Sequence, residues 1–218
     1  SNKMNLYITQ NSYYFVHRHF IKYFLKQDSE IIFVTEKERG ILKKYIEIIF
    51  NFGILETIRS SFLEVLYLVI MYGKVSKIKI SKITDRNLNV LLEKKIKYNS
   101  YEKIISIGCP TRIDATLQKK YNIKIFNLHG GILPYQKGRF SPIKSLNNEH
   151  SYLGASIHEV SNSFDEGEII SQNYFKINNH KKIENYNKVL QASSKLLGLF
   201  LADKYVKIPN KVLISLKK

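Results

Sequence analysis

Lys124-Ile125-Phe126-Asn127-Leu128-His129-Gly130-Gly131-Ile132-Leu133-Pro134 is the stretch on which the fold turns. A short apolar run delivers a carboxamide and an imidazole two positions apart at its carboxyl end. Residues i and i+2 of a β-strand share a face, so Asn127 and His129 point to the same side. Two glycines follow at once, which lets the chain turn sharply or a ligand approach the backbone.

Working outward, the chain before this strand alternates short apolar runs with amphipathic stretches. Leu6-Tyr7-Ile8, Ile31-Ile32-Phe33-Val34, Ile78-Lys79-Ile80 and Lys103-Ile104-Ile105-Ser106-Ile107 read as strands. The second is a continuous apolar run of the kind buried on both faces. Ser12 is placed to cap a helix from Tyr13 to about Lys26. Thr84 is placed to cap another, with Asp85 in its first turn and Leu88, Val90, Leu91, Leu92 and Ile96 along it. Strands separated by helices predict an α/β fold, with a mostly parallel twisted sheet and helices on both faces. Ligands of such sheets sit beyond the carboxyl ends of the strands, where Gly108 and Asn127 begin their segments.

Downstream, Ile157-His158 and Glu168-Ile169-Ile170 read as two strands around a glycine-containing turn that carries Asp165. A final helix from Ile183 to Val206 has Leu190, Leu196, Leu197, Phe200 and Leu201 on its apolar side. The segment Ile54 to Met71 is strongly apolar, but Glu56, Arg59 and Glu64 interrupt it. Its uncharged part is far below the ~20 residues of a membrane span, which predicts a buried or dimer-facing helix.

The 218 residues suit one α/β domain, and 44% hydrophobic with 24% charged residues is a globular composition. No repeat or linker divides the chain, so residues 1–218 are read as a single domain, with 1–3 as an expression scar before Met4. No secretory signal follows Met4. The single cysteine, Cys109, excludes an internal disulfide and suits a cytoplasmic setting. The net charge of +17 fits a polyanionic partner or a compositional drift toward lysine.

A carboxamide, an imidazole and a carboxylate near one strand end compose an acyl-transfer site. The amide and an imidazolium stabilise an oxyanion, while the carboxylate orients the imidazole or moves a proton. Other readings stand beside this one. An Asn-x-His pair also caps turns, and His129, His158 and Asp165 are metal-ligating residue types that lack a standard ligand spacing. His17 and His19 lie two apart on a predicted helix and read as surface residues.

Asn127-Leu128-His129, Ile132-Leu133-Pro134 and Lys137-Gly138 together resemble the Asn-x-His…Leu-Leu-Pro…Arg/Lys-Gly signature of the folate-dependent formyltransferase family. Asn147-Asn148-Glu149, Gly154-x-Ser156-Ile157-His158 and Asp165-x-Gly167-x-Ile169-Ile170 resemble its second signature, in order and in register. The likeness runs from about Ser106 to Ile170 and implies the Rossmann-like formyltransferase fold. It also implies that Asn127, His129 and Asp165 are catalytic, with His129 protonated. Arg112, Ile113 and Leu117 on one side, and Ser161, Asn162, Ser163 and Phe164 on the other, would line a folate pocket. The co-substrate implied is N10-formyltetrahydrofolate, with no metal.

The acceptor implied is a primary amine. His129-Gly130-Gly131, where His-Pro-Ser is commoner, resembles the carbohydrate-modifying members. Thr9-Gln10-Asn11-Ser12-Tyr13 has no glycine, unlike the phosphate loop of the glycinamide ribonucleotide transformylases. No barrel like that of methionyl-tRNA formyltransferases follows Asp165, and no regulatory domain like that of the formyltetrahydrofolate hydrolases precedes the first strand. The expectation is therefore a small-molecule partner, a nucleotide-linked amino sugar of surface polysaccharide synthesis. Nucleic acid and a membrane span are not expected, and a homodimer is left open. Phosphoribosylglycinamide formyltransferase and a non-catalytic nucleic-acid-binding α/β domain are the alternatives.

Overall fold

The computed structural model describes residues 4–10, 17–26, 28–36, 41–72 and 79–206. Seven strands follow the sheet order β3-β2-β1-β4-β5-β6-β7. They are β1 Met4–Gln10, β2 Ser29–Thr35, β3 Lys79–Thr84, β4 Tyr101–Ile107, β5 Ile125–His129, β6 Tyr152–Glu159 and β7 Ile169–Lys176. The helices are α1 His17–Phe24, α2 Ile41–Phe52, α3 Ile54–Tyr72, α4 Leu88–Tyr98, α5 Thr116–Tyr121, α6 Ser141–Asn147 and α7 Lys182–Leu201. The expected α/β architecture, with a mostly parallel sheet, is the one observed. The chain forms two compact units, Ser1–Ile125 and Phe126–Lys218.

In the first unit β1 pairs in parallel with β2 and β4, and β2 in parallel with β3. Such strands are covered on both sides, and the sequence obliges. Leu6, Tyr7, Ile8, Ile31, Ile32, Val34, Ile104 and Ile105 are buried, with Phe20, Phe24, Leu88 and Leu92 from the helices among the core residues. Each such side chain contributes about 1.5–3 kcal/mol on leaving water. Glu30 is also buried, between the Lys95 ammonium and the Tyr101 hydroxyl, which donates to its Oε2 at 2.6 Å. Removing the Lys95 ammonium would leave the buried Glu30 carboxylate without its counter-charge.

Several boundaries differ from the sequence reading. The residues that would hold the Ser12 cap and the Tyr13 start lie outside those described, as do Ile78 and residues 1–3. Thr84 ends β3 and precedes a 3-10 turn at Asp85–Asn87, without a side-chain cap. The Asp85 carboxylate accepts from the Arg86 amide instead, so the α-helix starts only at Leu88. Val90 on α4 is 72% exposed; burial follows Leu88, Leu92 and Ile96 at helical spacing, and Val90 falls between them. The last helix stops at Leu201 rather than Val206, where the Ala202 amide closes it onto the Gly198 carbonyl. The Ile54–Met71 segment is helical, and its apolar side faces outward: Leu55, Ile58 and Phe62 are exposed, so of the two placements expected, buried or dimer-facing, the buried one is not observed. Among the described residues no helix is long and apolar enough to cross a membrane.

The second unit is antiparallel. β5 pairs with β6, and β6 with β7. Helix α7 packs on β6 and β7, with Val189, Leu196, Leu197 and Phe200 buried and Phe200 edge-on to Phe126 at 4.8 Å between ring centroids. The strand pairing β5–β6 is the scaffold of the site.

Candidate active site

The register of β5 on β6 sets Asn127 directly opposite His158, and His129 opposite Ser156. Opposed residues of an antiparallel pair have side chains on one face. Alternation along each strand therefore brings Asn127, His129, Ser156 and His158 together. This is why Asn-x-His on one strand matches Ser-x-His on the next.

His158 is the residue whose role the sequence reading passed over. Its Nδ1 donates to the Glu159 carbonyl at 2.8 Å, because a carbonyl can only accept. Nε2 is then an acceptor for the Asn127 amide, at 3.0 Å. One N–H of Asn127 is thereby spent on orientation and the other is left for a ligand. The signal lay in the spacing: two Asn/Ser/His pairs at i and i+2 on consecutive strands.

Asp165 comes from the β6–β7 connection, where it adopts a left-handed backbone (φ 56°) that Asp tolerates better than most residues. Gly167 makes the turn possible. A Cβ there would lie 1.6 Å from the Glu159 carbonyl oxygen, so no other residue fits this close approach. The carboxylate is nearly buried. Its Oδ1 lies 3.5 Å from His129 Nδ1 and 3.6 Å from His158 Nε2, and its Oδ2 accepts the Gly138 amide at 2.8 Å. Burial pushes this carboxyl up, but the polar groups around it, the Gly138 N–H among them, outweigh that and hold it below its ordinary range. Lys137 and Glu166, 2.8 Å apart, tie the same two loops at the surface.

The His129 imidazole is held from its other edge. Nε2 donates to the Gln136 carbonyl at 2.5 Å, which leaves Nδ1 facing the Asp165 carboxylate. Burial lowers the His129 pKa below its ordinary value, and the attraction of Asp165 offsets this only in part. The shift favours the neutral ring. The cause is desolvation, which no sequence pattern displays.

The turn between β5 and α6 is fixed by buried polar side chains. Gln136 accepts the Ile132 amide at 2.9 Å through Oε1 and donates to the Tyr152 carbonyl at 2.8 Å through Nε2. Ser156 donates to the Gly131 carbonyl and accepts the Leu133 amide. Ser141 donates to the Gly130 carbonyl. Gly131 is required here, since a Cβ would come within 2.3 Å of the Gln136 carbonyl oxygen. The chain thus wraps closely around the imidazole.

Of the residues expected to line a folate pocket, Ser161 to Phe164 form the turn that leads into Asp165. The Ser161 hydroxyl donates to the Ser163 carbonyl, and Phe164 is 62% exposed. Arg112, Ile113 and Leu117 belong to the first unit. Ile113 and Leu117 are buried as core residues, while the Arg112 carbonyl accepts from Asn89 of α4. Asp114 accepts from both the amide and hydroxyl of Thr116 at the start of α5. Desolvation pushes the half-buried Cys109 thiol up to about 12, which disfavours its thiolate.

The family profile described as Formyl transferase matches residues 78–199. Over 72 residues the chain is 32% identical to dTDP-4-amino-4,6-dideoxyglucose formyltransferase of Mycobacterium bovis; that stretch covers 33% of this chain and 30% of the relative. The fold is similar to that of phosphoribosylglycinamide formyltransferase from Campylobacter jejuni, with a TM-score of 0.59 at 19% identity over 93% of this chain and 98% of that one. It is also similar to WlaRD, a sugar 3N-formyl transferase whose structure was solved in the presence of dTDP and 5-N-formyl-THF. There the TM-score is 0.53 at 17% identity, over 98% of this chain and 68% of that one.

Proposed function

We propose that this chain, which belongs to the formyl transferase family, moves a formyl group from N10-formyltetrahydrofolate to the primary amine of a nucleotide-linked amino sugar. One observation carries the chemistry: His129 Nδ1 faces Asp165 Oδ1 at 3.5 Å while Asn127 keeps an uncommitted N–H on the same strand face. That set has the donor, the base and the carboxylate that acyl transfer to an amine needs. It suits a folate formyl donor, because a neutral imidazole beside a carboxylate can relay a proton without a metal. The family match crosses the boundary between the two units, so we read residues 1–218 as one catalytic domain.

When bound, N10-formyltetrahydrofolate supplies an activated formyl carbon whose leaving atom is N10. Asn127 directs its remaining N–H at the formyl oxygen, where negative charge grows as the amine adds. The Asp165–His129 pair takes the proton that the amine nitrogen must lose, with His129 Nδ1 as the basic atom and Asp165 supporting the imidazolium so formed. The same pair returns the proton to the departing nitrogen. His158 keeps Asn127 aimed, and the Gln136 carbonyl keeps the His129 ring from rotating. Residues 161–164, in the turn that leads into Asp165, would contact the folate largely through backbone groups.

The amino-sugar acceptor is supported by the 32% match to a dTDP-amino-sugar formyltransferase. The glycine-free Thr9–Tyr13 sequence, which differs from a phosphate loop, supports it further. Competition between a panel of dTDP- and UDP-linked amino sugars and glycinamide ribonucleotide, read by mass spectrometry, tests it. The expected result is a higher kcat/KM for one of the sugars. A higher value for glycinamide ribonucleotide would overturn the acceptor while leaving formyl transfer in place.

A further inference from the structure

Helix α3 has its polarity inverted relative to that of a helix packed on a soluble core. Thr57 and Ser60 are buried, and the Thr57 hydroxyl is satisfied locally by the Gly53 carbonyl at 2.6 Å. Leu55, Ile58, Phe62, Val65 and Val69 are exposed, Phe62 by 67%. Their separations of three, four, three and four residues trace one straight stripe down the helix, the spacing with which one α-helix seats against another. Helix α2, which ends just before Gly53 (φ 84°) and α3, also exposes Phe50, by 87%. So much contiguous apolar surface marks an association site rather than ordinary surface scatter.

We propose that this α2–α3 surface is where a second copy of the chain docks, α3 against α3 about a two-fold axis. The seam is built for a helix, and a two-fold axis presents each copy with the same stripe. Phe62 sits at its midpoint, so the two Phe62 side chains meet near the axis. Charge argues against a bilayer as the occupant. A helix that lies on an anionic membrane carries a rim of lysine and arginine. Although the chain as a whole is strongly basic, residues 41–72 hold Lys43, Lys44 and Arg59 against Glu47, Glu56 and Glu64. This stretch is electrically balanced, as suits a face that meets its own copy.

Sedimentation velocity of the full chain across a concentration series tests the proposal. The expected result is a reversible dimer whose dissociation constant rises on the order of a hundredfold in Phe62→Glu, as for a central interface residue. Because Phe62 is solvent-exposed in one copy, that variant keeps its helical circular dichroism. The variant Phe62→Cys, made together with Cys109→Ser, supplies a second readout: mild oxidation should link two copies through residue 62. A wild-type chain that stays monomeric at all concentrations would overturn the proposal. So would a dimer unaffected by Phe62→Glu, or a monomer that floats with phosphatidylcholine or phosphatidylglycerol vesicles.

Discussion

His129 is a base whose strength is set by two opposed surroundings, burial and Asp165. Burial favours the neutral ring and the carboxylate favours the charged one, and burial prevails. The sign of the pH dependence follows. On the proposed mechanism the working form is the neutral imidazole, so activity should fail as pH falls through a His129 pKa lying below the ordinary histidine value. Asp165, held below the ordinary carboxylate range, stays ionised throughout that window. Asp165→Asn removes the attraction that raises His129, so the acid limb of kcat should move to still lower pH. The same change should slow turnover on the order of a hundredfold or more, since the imidazolium formed during transfer loses its partner. Pre-steady-state or steady-state rates from pH 5 to 9 check both outcomes. An acid limb that moves upward, or a variant as fast as the parent, would remove Asp165 from the chemistry.

At the scale of elements, the site depends on the β5–α6 turn as much as on the strands. Gln136 is its buried clamp, joining the Ile132 amide to the Tyr152 carbonyl while its own carbonyl holds His129. Gln136→Leu has nearly the same size but leaves that amide and carbonyl unpaired, at about 1–3 kcal/mol each. Chemical denaturation should show a loss within the sum of those two, and kcat should fall more than KM changes. A variant of unchanged stability and kcat would mean the turn holds itself. The clamp also shows where the sequence was legible. The strand ending in Asn127 and His129 could be read directly, because alternation and apolar runs are local properties. Asp165 could be placed in a turn because of Gly167. The partnership of His158 with Asn127 needed the antiparallel register, and the clamp by Gln136 needed a tertiary contact with the start of β6. The depressed His129 pKa needed burial. None of these is a property of neighbouring residues in sequence. The same limit explains α3, whose hydrophobicity was plain while the direction of its apolar face was not.

At the scale of the whole molecule, charge is the property to test. Lysine and arginine number 35 against 18 aspartate and glutamate, so an anionic substrate approaches through an attractive field. If the acceptor carries a pyrophosphate, that field raises the encounter rate without touching the bond-making step. Salt should then lower kcat/KM and leave kcat nearly unchanged, because mobile ions screen charges beyond about 10 Å at 0.1 M ionic strength. Between about 20 and 500 mM salt the expected loss in kcat/KM is on the order of tenfold. The same amino sugar without its nucleotide, being uncharged as the free amine, serves as the control. Its kcat/KM should be poorer at every salt concentration and should not decline as salt is added. Parallel slopes for the two acceptors would assign the effect to the folate, which is also anionic, rather than to the acceptor. No slope for either would mean that the lysine excess is compositional and takes no part in substrate capture.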